Sequence, residues 1–294
     1  MNVDRTPDGF YLAQPHLIAR ILEVLNLDIG TPNGRNTKDT PATKPLLIKD
    51  NNGDERKLPW NYRSVVGMLN YLVGSIRPDL AMSAHQVARF CTDPKRSHEK
   101  GVMRIAQYLL TTAKFGMICK LDLNRGIEAH VDADFAGLWT HETAFEPNSV
   151  LSRTGYVILL FGCPLFWHSK LQLEIALSTT EAECIAMSQA LRNVIPLINL
   201  MNKLILHFDI SCIKPTMKCT VFEDNQSTIA VTRAPSMLPR TKHIGLKYHH
   251  FRQAIQQGII SIECVPTADQ LADIFTKPLP APSFTCLRHK LLGW

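Results

Sequence analysis

The chain has 294 residues, 45% of them hydrophobic, and a formal net charge of +6, enough for a full core and two domains of an ordinary soluble protein. No stretch approaches the roughly 20 apolar residues that span a bilayer, and Met1-Asn-Val-Asp-Arg-Thr-Pro7 lacks a signal-peptide pattern, so no membrane is expected and the expected location is cytoplasm or nucleus. The eight cysteines include no Cys-x-x-Cys pair, which argues against a zinc knuckle or redox motif and leaves free, mostly buried thiols.

In chain order, Ile18, Ile21, Leu22 and Leu25 form a helical stripe. Residues 29–58, rich in Gly, Pro, Thr, Asn and Asp, predict a long exposed loop. Asp50, Asn52 and Asp54 have the spacing of a calcium loop, but Asn61 stands where the bidentate Glu belongs, which argues against calcium. Further helical stripes follow at Tyr62, Val66, Leu69 and Val73, at Leu80, Ala84, Val87 and Phe90, and at Val102, Ile105 and Leu109. Pro78 suits a helix start, where its missing N–H costs nothing.

From about residue 122 the apolar period switches to two, predicting strands at 126–132, 154–161, 164–172, 217–223 and 259–265, with helices between the later ones. Residues 138–152 form a long connection after the first strand, where Trp139, His141 and Phe145 either cap the core or touch a ligand. The stretch Arg240–Arg252, placed on a helix, puts Arg240, His243, Lys247 and His250 on one face and Tyr248, Phe251 and Ile255 on the other. The basic face suits a phosphate backbone, a plain solvated face fits nearly as well, and Gly245 weakens the helix. His243 and His250 are two turns apart, about 10 Å, too far to share a zinc ion.

Four carboxylates stand out. Asp132 ends the run Ile127–Val131, Glu183 lies one turn into a helix opened by Ser178-Thr179-Thr180, Asp224 follows Met217–Phe222, and Asp273 falls in the helical segment Asp269–Lys277. Each alone reads as a surface acid. Together they suit hard divalent cations, which take oxygen ligands and, in pairs about 3.5 to 4 Å apart, serve phosphodiester cleavage. Asp132 and Asp134 point to the same side of a continued strand, so geometry does not separate them. Ser178 and Glu181 have capping-box spacing, which occupies Glu181 and leaves Glu183 for a metal; Asp269 fits an N-cap better than a ligand.

The strings Val131-Asp-Ala-Asp-Phe-Ala-Gly137, Ser152-Arg-Thr-Gly-Tyr156, Ala176-Leu-Ser-Thr-Thr-Glu-Ala-Glu183, Glu223-Asp-Asn-Gln-Ser227, Arg240-Thr-Lys-His-Ile244 and Gln270-Leu-Ala-Asp-Ile-Phe-Thr-Lys-Pro278 resemble, in order and spacing, the Pol polyprotein of copia-type retrotransposons. Tyr62-Arg-Ser-Val-Val-Gly67, Tyr71-Leu72, Arg77-Pro-Asp79 and Arg104–Leu110 resemble its segment just after the polymerase palm. The resemblance covers nearly the whole chain. It implies a C-terminal polyprotein fragment with a helical post-palm region, 1–121, and a ribonuclease H-like domain, 122–294, of α/β class with a mixed five-stranded sheet and flanking helices. It also implies an RNA–DNA hybrid as substrate and the upstream polymerase portion as partner. Asp132, Glu183, Asp224 and Asp273 would hold two Mg²⁺ ions, with Mn²⁺ a substitute, for the attacking water and the departing 3′ oxygen. Asp132 would bridge them, with Glu183 and Asp224 on one side and Asp273 on the other. Ser178, Thr180 and Gln226 match positions that contact 2′-hydroxyls in the family.

Two departures matter. Val265-Pro-Thr-Ala268 replaces a loop that carries a histidine in many ribonucleases H, and the chain contains no Asp-Asp pair, so the polymerase signature is absent and polymerase activity is not expected. Residues 1–120 hold 17 Lys+Arg against 11 Asp+Glu, while residues 121–294 hold 15 of each, so the excess positive charge sits in the first part. Lys95, Arg96, Lys100 and Arg104 cluster at a helix start, where cations oppose the helix dipole, which points to phosphate contacts through Lys100 and Arg104. A solvated basic surface accounts for the charge equally well. The alternatives to a hybrid nuclease are an inactive nucleic-acid-binding remnant and a DNA-processing nuclease of transposase type.

Overall fold

The computed structural model describes residues 1–7, 9–27, 37–210, 217–233 and 252–294. They fall into two units: one comprises Met1–Cys119, Leu138–Val150 and Lys277–Trp294, the other Lys120–Gly137 and Leu151–Thr276.

The first unit follows the helical stripes. α1 (Pro15–Val24) buries Ile18, Ile21 and Leu22, and α2 (Tyr62–Ser75) buries Tyr62, Val66 and Leu69. Asn61 caps α2, its side chain accepting from the Ser64 N–H at 3.0 Å. A 3₁₀ turn, Pro78–Leu80, leads into α3 (Ala81–Ala88), and α4 (Arg96–Thr112) buries Val102, Ile105 and Leu109. The last helix, Ala281–Leu292, ends at Gly293 with φ +87°, a left-handed cap.

Two features of this unit go beyond the sequence reading. A three-stranded sheet of order β1-β2-β3 contains an antiparallel hairpin of β1 (Asn2–Thr6) and β2 (Gly9–Ala13), with β3 at Met117–Lys120. Nothing in β1 alternates, because this edge strand is exposed over Asn2–Arg5. The described part of 29–58 is irregular and mostly exposed, as the sequence predicts, and is tied down as a strap. His98 Nε2 lies 2.8 Å from the Ile48 carbonyl, Leu58 N–H donates to Glu99 at 3.0 Å, and Arg104 donates to Thr40 Oγ1 at 2.9 Å. Irregular backbone carries no period, so only these long-range bonds reveal it.

Arg77-Pro-Asp79 is the polar centre of this unit. Arg77 is fully buried and binds Asp79 through two bonds, Nε at 2.9 Å and Nη2 at 2.8 Å; Nη2 also donates to Thr112 Oγ1 at 3.0 Å. Tyr108 OH donates to Asp79 at 2.8 Å, and Arg288 donates to Tyr108 OH at 3.2 Å. Burial acts to lower the Arg77 pKa, but the adjoining Asp79 outweighs it and the net shift is upward.

In the second unit the strands are β4 (Ile127–Asp134), β5 (Arg153–Leu160), β6 (Cys163–Leu171), β7 (Cys219–Glu223) and β8 (Ile260–Cys264). The order is β6-β5-β4-β7-β8, antiparallel from β4 outward through β5 and β6, parallel through β7 and β8. With α5 (Thr179–Phe208) after β6 and α6 (Gln226–Arg233) after β7, this is the ribonuclease H-like arrangement. α5 covers one face: its Ala182, Ala186, Ala190 and Val194 share a core with Ile127, Ala129 and Val131 of β4 and Cys219 and Val221 of β7. By length and composition α5 is apolar enough to cross a membrane, contrary to the sequence expectation; 56% of its most apolar window is buried, as in a core helix. Among the described cysteines, Cys119, Cys163, Cys184 and Cys219 are buried thiols that form no disulfide.

Removing one partner of a buried ion pair leaves an uncompensated charge. Asp79→Ala is expected to destabilise the first unit by about 3–5 kcal/mol, measured by denaturant unfolding; a loss under about 1 kcal/mol would show that Arg77 finds other partners.

Candidate active site

β4 is hydrogen-bonded antiparallel to β5 and parallel to β7, so the carboxyl ends of β4 and β7 lie side by side where the sheet changes direction. In open α/β sheets that is where the crevice for a ligand forms. Strand alternation decides which side chains enter it. Val131 and Ala133 face α5, whereas His130 and Asp132 face the opposite side.

On that opposite side, Gln270 ties the crevice together. Its fully buried amide donates to the Val131 carbonyl at 2.9 Å and the Phe222 carbonyl at 3.2 Å, while its oxygen accepts from Ala272 N–H at 3.2 Å and faces His130 Nδ1 at 3.2 Å. With both amide hydrogens committed to carbonyls, Nδ1 of His130 is the donor. His130 stacks on Phe222 with centroids 4.7 Å apart, and burial lowers its pKa to about 4. These bonds seat the short helix Asp273–Thr276, whose Thr276 hydroxyl donates to Asp132. Ser169 holds the same helix by donating to the Phe275 carbonyl at 2.5 Å. Gly155, the partner of Asp132 in the β4–β5 ladder, makes room: a Cβ there would lie 2.5 Å from Thr276 Cγ2 and 2.8 Å from Phe275 Cβ.

Two groups of carboxylates result. Single oxygens of Asp132, Asp224 and Asp273 lie within 4.8 Å of one another, and so do those of Glu183, Glu223 and Asp224. The four acids singled out in the sequence are therefore brought together, with Glu223 added. Asp134 lies instead against the turn at Gly137, where a Cβ would meet its carboxylate. Glu181 is used at the α5 N-terminus, accepting from Leu177 N–H at 2.9 Å while its own N–H donates to Ser178 Oγ at 3.1 Å. Asp269 closes a 3₁₀ turn, Thr267–Asp269, and does not cap the helix that begins at Asp273.

Sequence reading missed Glu223 because an acid on a strand next to Asp224 reads as its solvated neighbour. It is fully buried. Its Oε1 accepts from Asn225 N–H at 3.0 Å, and its Oε2 is buried without a hydrogen-bond partner. Burial, then the like charges of Asp224 and Asp132, push its pKa up to about 8. Asp224 is half-buried and accepts from Thr267 Oγ1 at 2.9 Å. Asn225 caps α6, accepting from Ser227 and Thr228 N–H at 2.9 and 3.2 Å. An all-oxygen donor set with an orphaned buried acceptor fits a hard divalent cation.

Of the other residues singled out, Ser178 and Gln226 are exposed and Thr180 half-buried, at the N-termini of α5 and α6. Arg240, His243 and Lys247 lie outside the described residues. In the first unit Lys100 is exposed and Arg104 half-buried, lining a cavity of about 320 Å³ with Lys38. Lys95 pairs with Glu55 and Asp93, and Arg96 with Asp54, which gives those two cations structural partners. Trp139 and Phe145 are exposed and do not cap a core.

Strand order and clustered acids define a ribonuclease H-like domain with a candidate cation site. No protein-family model matches the chain. It is 31% identical over 294 residues to the retrovirus-related Pol polyprotein of transposon TNT 1-94 from Nicotiana tabacum and 29% identical over 291 residues to that of transposon RE1 from Arabidopsis thaliana, each match covering 99% of this chain. The chain belongs to these copia-type retrotransposon Pol polyproteins, and its second unit has the ribonuclease H-like fold. It spans about a fifth of their length, 21% and 18%. Among solved structures, LC11-RNase H1 from a compost metagenome aligns with TM-score 0.36 and 16% identity over 51% of this chain and 92% of that one. The N-terminal RNase H domain of a Mycobacterium tuberculosis protein aligns with TM-score 0.34 and 13% identity over 55% and 96%.

A histidine with its pKa lowered to about 4 takes up a proton in the unfolded chain first, near 6.5. Stability from His130 is therefore present above 6.5 and lost as pH falls from 6.5 towards 4, by up to about 3 kcal/mol. His130→Asn is expected to flatten that part of a stability-against-pH curve; an unchanged slope would mean His130 is not held neutral.

Proposed function

We propose that the second unit hydrolyses the RNA strand of an RNA–DNA hybrid at the carboxylate cluster. The observation that carries this reading is the convergence of Asp132, Glu183, Asp224 and Asp273 at the adjoining carboxyl ends of β4 and β7. Membership of the retrotransposon Pol polyproteins supports this class of substrate. The four acids would hold two divalent cations, Mg²⁺ or Mn²⁺, which when bound supply an activated water and charge stabilisation for the departing 3′ oxygen. The protein's own contribution is positional. Thr276 and Gln270 fix Asp132 and the Asp273 helix, the Ser178 cap fixes the first turn that carries Glu183, and Thr267 orients Asp224. Ser178, Thr180 and Gln226, at two helix N-termini, are proposed to meet 2′-hydroxyls in the minor groove and so select RNA. Residues 1–121 are proposed as the post-palm region of a polymerase whose remaining parts would be the partner, and residues 122–294 as the nuclease domain of an intracellular protein.

Cleavage of labelled RNA–DNA hybrid, double-stranded DNA and double-stranded RNA with Mg²⁺ tests this. Asp132→Asn or Asp224→Asn should lower hybrid cleavage by about two orders of magnitude or more while sparing hybrid binding, and Asp134→Asn should be mild. Near-normal turnover in either of the first two variants removes the assignment; binding without cleavage in the unaltered chain indicates an inactive remnant, and preferred cleavage of double-stranded DNA indicates a DNA-processing nuclease.

Lys100 and Arg104 are proposed to contribute phosphate contacts. Reversing both charges should weaken binding to all sequences alike and reduce the slope of log affinity against log salt by roughly 0.7 to 0.9 for each phosphate no longer neutralised. Superimposable slopes would leave them as surface cations.

A further inference from the structure

The strap, α3 and α4 bound a cavity of about 320 Å³ within the first unit, large enough for a small ligand. Helical spacing supplies two of its walls: Ser83, Gln86 and Val87 share one face of α3, and Lys100, Gly101, Arg104 and Ile105 share one face of α4. Leu46 and Leu47 of the strap make the third wall apolar. Gly101 admits that approach, since a Cβ there would lie 2.8 Å from Leu47 Cδ1. Three cations, Lys38, Lys100 and Arg104, line the cavity, and among the described residues no Asp or Glu does.

Two buried donors in these walls lack an acceptor. Gln86 is 3% exposed; its Oε1 accepts from Arg89 at 3.2 Å, which fixes the amide and leaves Nε2 unanswered. Arg104 spends Nη2 on Thr40 Oγ1 at 2.9 Å, and its Nε is buried without a partner. Buried donors in this state are destabilising unless a ligand supplies the acceptors.

We propose that this cavity takes a single unpaired nucleotide, with its phosphate at Lys38, Lys100 and Arg104 and a carbonyl or ring nitrogen of its base at Gln86. Polarity is graded to suit it: Lys100 is exposed, Arg104 half-buried and Gln86 buried, so the walls ask for an anion at the mouth and a neutral acceptor at depth. Inorganic phosphate answers the cations but leaves Gln86 and the apolar wall empty. An aliphatic acid fills the apolar wall but brings no inner acceptor. A nucleotide supplies all three, provided that its base is unpaired and unstacked so that its edge can be read. The occupant is therefore a free mononucleotide or one unpaired nucleotide of a strand. The proposal shares Lys100 and Arg104 with the phosphate contacts proposed above and is independent of the carboxylate cluster.

The probes are the ribonucleoside monophosphates, titrated one at a time into the full chain by calorimetry without divalent cation, beside inorganic phosphate and the parent nucleosides. The best monophosphate should bind at least about tenfold more tightly than phosphate or its own nucleoside. Gln86→Met, which keeps the length and removes the donor, should weaken it about three- to tenfold and leave phosphate binding unchanged. Gln86→Glu, which keeps an acceptor for Arg89 and removes the donor, should weaken the nucleoside as well, and Lys100→Gln should weaken both monophosphate and phosphate; melting curves show that each variant folds. A monophosphate that binds no more tightly than phosphate overturns the proposal, as does a Gln86→Met titration that overlays the unaltered chain. A single strand carrying one fluorescent base analogue separates the two sources: emission that changes on binding and is restored by the monophosphate assigns the cavity to a strand nucleotide, and emission that does not change assigns it to the free one. Superimposable salt slopes for hybrid binding, with monophosphate binding as expected, would remove only the backbone contacts proposed for Lys100 and Arg104.

Discussion

β4 runs between an antiparallel neighbour and a parallel one, and the site depends on that position. A strand so placed must be apolar on the face that meets α5, which Ile127, Ala129, Val131 and Ala133 satisfy. The alternate residues are then free to be polar only if something on the other face answers them. Gln270, Thr276 and Phe222 do so for His130 and Asp132. The parallel pairing with β7 stops at His130 and Phe222, and the two strand ends beyond it are held by a single side-chain amide.

Burying acids at such a junction is costly unless each charge is answered. The chain answers some with backbone: Asn225 N–H to Glu223, Leu177 N–H to Glu181. It leaves Glu223 Oε2 unanswered. Stability given up at a cluster of like charges would be regained on binding of a cation, because only the folded chain gathers the carboxylates. The same logic separates Asp79 from the site acids. Asp79 is equally buried, but two bonds from Arg77 and one from Tyr108 saturate it, so it organises the first unit and offers nothing to a ligand.

Close approach is the second requirement. Asp273 reaches the cluster only because its short helix lies on β5 at Gly155, where any Cβ would strike Thr276 and Phe275. The connection 138–150 and the strap over α3 and α4 show the opposite regime, in which backbone without regular pairing is held by scattered side-chain bonds such as Thr143 to Leu138 and Arg104 to Thr40.

The sequence by itself determined what depends on neighbours along the chain. Period two placed all five strands of the second unit within a few residues, period 3.6 placed α1 to α4, and the spacing of Ser178 and Glu181 separated Glu181 from Glu183 through a cap that forms as expected. The strings of residues carried the family. Tertiary structure decided what depends on neighbours in space: that β1 and β2 pair though neither alternates, that Asp132 and not Asp134 meets Asp224 and Asp273, that Gly155 is a seat for a helix, and that Glu223 is buried beside Glu183. A two-residue period says which side chains share a face, but only the order of strands and the helix laid on that face say what they meet there.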